Sequence, residues 1–158
     1  MQSKDDLGGR IALFLDAHHV MSLATVGPDG VHAANLFFAC DGLGLIWVSD
    51  PHSRHSSHIA LAPQVAATIA PDYSDFPEVK GVQLSGRARM IVEAAERERA
   101  RDLMQVRYPF LRTALAPGSP LRAAYERAQF YRLDPERVVL IDNSRGFGAK
   151  EMLDLARG

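Results

Sequence analysis

The sequence predicts a mainly β fold with helices, a small antiparallel barrel carrying helices at its ends. Two observations carry this prediction. Strand-like segments outnumber helical ones along the chain, and the early strands are joined by tight turns of hairpin type, G-P-D-G at Gly27–Gly30 and D-G-L-G at Asp41–Gly44.

From about Lys4 to Ala17, Leu7, Ile11, Phe14 and Leu15 recur at helical spacing, so an amphipathic helix opens the chain and covers the sheet. His19–Val26, rich in Val, Met and Leu, is the first strand, and the turn at Gly27–Gly30 returns it as Val31–Cys40. Leu45–Ser49 is the third strand. A short helix over about Ser53–Leu61 and a strand at Val65–Ala70 come next. Between Pro71 and Glu78, P-D-Y-S-D-F-P-E holds two prolines and three acids, which disfavour regular structure. Lys80–Val92 is a long strand with Gly81 and Gly86 as expected bends or bulges. Glu93–Tyr108 is helical, with interleaved Glu and Arg outside and Leu103, Met104 and Val106 inside, and Pro109 ends it. Pro120 starts a further helix to about Arg127, and Phe130–Leu133 and Arg137–Asp142 are two strand pieces around an Asp134-Pro135 turn or bulge.

With 158 residues the chain fits one domain, taken as residues 1–158. Its 47% hydrophobic and 23% charged residues are those of an ordinary globular protein, and a net charge of −1 gives no pull toward nucleic acid or anionic lipid. The single cysteine, Cys40, rules out an intrachain disulfide and argues against a Cys-rich zinc site. The first ten residues lack the apolar stretch of a signal peptide, and no run approaches a membrane span, so a cytoplasmic protein is expected.

The segment V-S-D-P-H-S-R-H-S-S-H, from Val48 to His58, is the most informative. A helix opening with hydroxyls, an arginine and histidines directly after a buried strand suits a phosphate, because its first-turn amides are unpaired and its dipole is positive there. Ser53 can cap and Arg54 offers a planar fork of donors. The plainer alternative is a capped surface helix with a solvated arginine; the residues alone leave both open. Gln83, on an otherwise apolar strand, and Asn35, on the second strand, pose a related choice between binding a polar ligand and facing solvent. His52, His55 and His58 spread over about a third of a helix circumference, with no cysteine near, so no metal site is expected. His18 and His19 point to opposite strand faces. No G-x-S-x-G elbow, P-loop or G-x-G-x-x-G occurs. The segment D-N-S-R-G-F-G-A-K, Asp142–Lys150, reads by itself as a turn or flexible arm.

Taken in order, H-V-M-S-L-A-T, A-N-L-F-F, W-V-S-D, S-R-H, P-Q-V-A-A-T-I, G-V-Q-L-S-G and D-N-S-R-G-F-G resemble the flavin-binding split-barrel superfamily typified by pyridoxamine 5'-phosphate oxidase, and most of all its functionally uncharacterised YhbP-like proteins. The resemblance runs from His19 to Lys150. It implies a six-stranded antiparallel split β-barrel with peripheral helices, pairing into a homodimer with FMN at two sites between subunits. Ala34, Asn35 and Leu36, with Val48 and Ser49, would line the flavin ring through backbone groups. Arg54 and His55, assisted by Ser53, would hold the phosphate; Gln83 would reach the ribityl chain or phosphate; Asn143 and the Gly146-Phe147-Gly148 turn would close the site, over the neighbouring subunit's flavin. The implied activity is that of an FMN-dependent oxidoreductase of unknown substrate, with NADH or NADPH as candidate donors. The alternative is a non-catalytic binder of FMN, haem or a deazaflavin. Two departures qualify the resemblance: His55, largely neutral at pH 7, stands where the oxidase has lysine and lowers the expected phosphate affinity, and the oxidase's C-terminal pyridoxal-phosphate residues are not recognisable, so vitamin B6 oxidation is not expected.

Overall fold

A computed structural model describes residues 4–156, and in it one antiparallel sheet is curled around an apolar core. The first three and last two residues of the expected 1–158 domain lie outside the described residues. Helix α1 (Lys4–Asp16) buries Leu7, Ile11 and Leu15, as its apolar spacing dictates. Strands β1 (Val20–Gly27) and β2 (Gly30–Phe37) form the expected hairpin, in register from Val20 opposite Phe37 to Gly27 opposite Gly30. Along β1, Met21, Leu23 and Thr25 are buried, while Val20, Ser22 and Ala24 face outward.

The chain continues through β3 (Ala39–Asp41), β4 (Gly44–Ser49), helix α2 (Arg54–Leu61), β5 (Gln64–Ile69), a single 3-10 turn at Phe76–Glu78 and β6 (Lys80–Met90). Helices α3 (Ala94–Arg107), α4 (Phe110–Ala114) and α5 (Arg122–Arg127) precede β7 (Gln129–Asp142), a 3-10 turn at Asn143–Arg145 and β8 (Lys150–Asp154). The strand order is β2-β1-β5-β6-β7-β4-β3, with β8 also paired to β7. This half-barrel with peripheral helices is the split-barrel architecture.

Several expectations need correction. The described strands number eight rather than six, for two reasons. The return strand expected as Val31–Cys40 breaks at buried Phe38, where the chain leaves β1 to pair with β4. At that corner Phe38 N–H donates to the His19 carbonyl (3.1 Å) and the Tyr108 hydroxyl donates to the Phe38 carbonyl, so the backbone is satisfied outside the ladder. The second reason is β8, which begins at Lys150, the last residue of the segment expected to be a turn or flexible arm, and pairs with β7. Of the turn or bulge expected at Asp134-Pro135, the structure has the bulge: β7 runs through as one strand, with Ser85 paired to Arg137 and Gly86 to Pro135, so Glu136 is the extra residue. Proline, which cannot donate to a ladder, is accommodated there. Gly81, in contrast, sits in regular register opposite Ile141. Helix α4 comes directly after Pro109, and Val106, expected inside α3, is exposed while Met104 is buried.

Both faces of β4 are covered. Trp47 stacks on Tyr131 (ring centroids 5.8 Å apart, planes 16° apart) inside the barrel with Leu23, Leu45 and Leu133. Ile46 turns the other way, into a second cluster with Ile91, Ala100, Met104 and Tyr108 beneath α3. Helix α3 starts where Glu93 caps the amides of Ala95 and Glu96 (3.0 and 2.7 Å). No helix among the described residues is long and apolar enough to cross a membrane.

Candidate functional site

Helix α2 begins immediately after β4, and its start gathers most of the expected phosphate-facing residues. Ser53 is the N-cap, its hydroxyl accepting from Ser56 N–H (3.3 Å). The next intrahelical bond is Ser57 N–H to the Ser53 carbonyl (2.9 Å). The backbone N–H groups of Arg54 and His55 have no acceptor among the described residues, so two positive dipole ends point out of the helix.

His55 turns into the protein and is buried. Its Nε2 lies 2.5 Å from Ser49 Oγ and 3.1 Å from Ser53 Oγ, which ties the end of β4 to the helix start. Burial, reinforced by the nearby His32 and His58 rings, holds His55 below the usual imidazole range, so it is uncharged at neutral pH. The His32 ring lies parallel to it at 6.2 Å and edge-on to His58 at 6.1 Å.

Arg54 turns outward. Its Nε lies 2.9 Å from Asp29 Oδ2 and its Nη2 donates to the Asp29 carbonyl (3.4 Å), while Nη1 has no partner among the described residues. Asp29 sits in the β1–β2 turn and is held from its other side by His58, whose Nε2 is 2.5 Å from Oδ1. That hydrogen bond first, then Asp29's own backbone and the charge of Arg54, keep the carboxyl below the usual carboxylate range. Pro28, Asp29, Arg54, Ser57, His58 and Leu61 line a shallow depression of about 360 Å³.

Ser49, Ser53, Arg54 and His55 are therefore brought together. Val48 and Ser49 are half-buried at the end of β4, and Ala34 and Leu36 are half-buried on the inner side of β2. Asn35 and Gln83 are exposed on the opposite, outer face of the sheet. There they belong to one transverse row: Asn35 opposite Ser22, Ser22 opposite Thr68, Thr68 opposite Gln83, and Gln83 opposite Val139. Ser22 Oγ donates to Asn35 Oδ1 (2.7 Å), and Ala33, Ala24, Ala66 and Ser85 form the neighbouring row, so the face is flat and built of small side chains.

Asn143 and Phe147 lie elsewhere. The Asn143 side chain donates to the Phe76 carbonyl (2.9 Å) and accepts from Gly148 N–H (3.0 Å), so the glycine turn is an anchored structure. Phe147 is 85% exposed and meets exposed Phe76 edge-on at 5.8 Å. Asn143 N–H bonds to Val79 at the start of β6, whereas the α2 end of the barrel lies near Arg87, opposite Gln64. Eight steps of extended chain, from Val79 to Arg87, separate these ends, about 26 Å, so within one chain the two groups do not meet.

Among the described residues no three His, Cys, Asp or Glu side chains are disposed to hold a metal ion, and His52 points to solvent. Cys40, half-buried, has its thiol pushed up to about 11 by burial and is a poor nucleophile. Asp29, His32 and Thr25, which organise the arginine and the histidines, are absent from the residues singled out by sequence. The G-P-D-G motif did mark Asp29 as a turn residue, but its second role depends on helix α2 folding over the turn.

A family model described as pyridoxamine 5'-phosphate oxidase matches residues 7–143. A UPF0306 protein of Photorhabdus laumondii is 29% identical over 139 residues, covering 87% of this chain and 88% of that one. Among solved structures, General Stress Protein 26 of Bacillus anthracis matches with a TM-score of 0.66 at 18% identity, covering 94% of this chain and 98% of that one. A haem-binding protein of Mycobacterium smegmatis matches with a TM-score of 0.74 at 18% identity, covering 99% of this chain and 60% of that one.

Proposed function

The chain belongs to the pyridoxamine 5'-phosphate oxidase family, and from its cluster of anion-facing donors we propose that it binds FMN and acts as an oxidoreductase on a substrate other than pyridoxamine 5'-phosphate. One observation carries the reading: Arg54 stands at the opening of a helix, and among the described residues neither its Nη1 nor the first two helix N–H groups have an acceptor. These are the donors that a phosphate monoester needs. His55, uncharged at neutral pH, adds a hydrogen-bonding edge, and Arg54 carries the charge.

The flavin supplies hydride chemistry from its own ring, so the protein's part is to bind, orient and shield. The inner residues Ala34, Leu36, Val48 and Ser49 are half-buried, and in this reading their backbone groups would line a flat ring system. The flat outer face bearing Asn35 and Gln83 suits contact with a second copy of the chain. In such a homodimer Asn143 and Phe147 of one subunit would approach the cofactor held by the other, which accounts for their distance from Arg54 within one chain. The proposed setting is the cytoplasm, with NADH or NADPH as the reductant.

Non-catalytic retention of FMN, haem or a deazaflavin is the second reading, supported by the haem-binding protein of similar fold. The absorption spectrum of freshly purified protein separates the two. Flavin absorption that bleaches with NADH or NADPH and returns in air supports the oxidoreductase; flavin absorption that no donor bleaches, or a Soret band, supports the binder. Arg54→Ala is expected to weaken FMN binding by about 1.5–3 kcal/mol through loss of a charge-assisted contact. Unchanged affinity in that variant, read by titration with FMN, removes Arg54 from the site.

A further inference from the structure

We infer that Asp29 and His58 are positioning residues for Arg54, forming with Thr25 a relay that runs from the barrel interior to the phosphate-facing guanidinium. This inference rests on the FMN reading above and extends it to side chains outside the expected site.

The relay is continuous. Thr25, buried on the inner side of β1, lies 3.0 Å through Oγ1 from His58 Nδ1. His58 Nε2 lies 2.5 Å from Asp29 Oδ1, and Asp29 Oδ2 lies 2.9 Å from Arg54 Nε. A carboxylate only accepts, so Nε2 carries the proton, and in the neutral ring the Thr25 hydroxyl donates to Nδ1. The His58 side chain is only 4% exposed, against 57% for Asp29 and 46% for Arg54, so order is passed from a fixed buried group to a solvent-facing one.

The backbone is shaped to admit this histidine. A Cβ on Gly27 would stand 2.3 Å from His58 Cδ2 and 2.5 Å from Nε2, so the ring rests where only glycine leaves room. The carboxylate is fixed twice over, by the turn that carries it and by the imidazole behind it. It grips Arg54 through Nε and, with its own carbonyl, through Nη2, which leaves the Nη1 edge for an anion. A long arginine side chain otherwise loses rotamer freedom on binding; here much of that order exists beforehand.

Asp29 is also a negative charge beside a proposed phosphate, so a competing role makes the opposite prediction and the experiment separates them. FMN and riboflavin, which differ only in the phosphate, are titrated into wild type, Asp29→Asn, His58→Gln, Arg54→Ala and the Asp29→Asn/Arg54→Ala double variant, with flavin fluorescence as the readout. Asp29→Asn is expected to weaken FMN binding roughly fivefold or more while leaving riboflavin unchanged, and to have no further effect once Arg54 is gone. His58→Gln is expected to act in the same direction. FMN binding by Asp29→Asn as tight as wild type, or tighter, overturns the relay, as does an equal loss for FMN and riboflavin, which marks general distortion. A wild type that binds FMN no better than riboflavin removes the phosphate contact itself, and the relay falls with it; that result is read before any variant is measured.

Discussion

Gly27 and His58 are a matched pair: the histidine ring occupies the space that any side chain on the glycine would fill, at 2.3 Å from an added Cβ. The ring cannot simply tilt away, because Thr25 engages one nitrogen and Asp29 the other. The last residue of β1 is thus constrained by a contact, with helix α2, that no local turn rule requires.

Gly27→Ala is therefore expected to expel the imidazole and leave the buried Thr25 hydroxyl without its partner. The cost is about 1–3 kcal/mol, from overpacking and a lost buried hydrogen bond. Thermal unfolding should register it as a lower midpoint, by roughly 2–4 °C per kcal/mol for a chain of this size. A midpoint equal to wild type contradicts the packing described.

Gly86 is the stricter of the two glycines. A Cβ there would meet the Asp134 carbonyl at 2.2 Å and Pro135 Cα at 2.9 Å, both backbone atoms held by the β6–β7 bulge. A side chain can swing aside; a paired strand cannot. Gly86→Ala is expected to cost about 3 kcal/mol or more, since the ladder itself must shift. Urea denaturation should show a clearly reduced midpoint, larger in effect than Gly27→Ala, and the reverse order would count against this account.

Asp41 supplies a pH-dependent part of stability. Hydrogen bonds from Arg99 first and then Arg132 lower its pKa to about 2. The folded value lies below the unfolded one, so the contribution is present in full above the unfolded pKa near 4 and is lost as pH falls toward 2. The carboxylate is 19% exposed, and the contribution is at most about 2 kcal/mol. Asp41→Asn should be less stable than wild type at neutral pH, and the gap should close between about pH 4 and pH 2. A gap that persists below that range would point to packing rather than charge.

Some of this architecture was plain from local chemistry. The G-P-D-G hairpin and the Ser53 cap depend on residues within a few positions of one another, and Gly86 marks its bulge by residue type alone, so composition and spacing reveal them. The corner at Phe38 was not legible, because the run from Val31 to Cys40 is uniformly compatible with a strand; its break comes from Tyr108, 70 residues away. Strand β8 escaped for a similar reason, since five residues acquire strand character only by pairing with β7. At the candidate site, Ser49, Ser53, Arg54 and His55 are near neighbours in sequence and were found together. Asp29 and Thr25, 29 and 33 residues from His58, were not.

The sequence by itself determined a barrel of hairpin-joined strands and a phosphate-suited helix start, because turn geometry, strand alternation and helix capping act over a few residues. Only the tertiary structure decided which side chains hold Arg54, that Asn35 and Gln83 share the outer face, and that the Asn143 turn is tied to the opposite end of β6 from helix α2. Those relations depend on how a curled sheet brings distant segments into register, and no local preference encodes that closure.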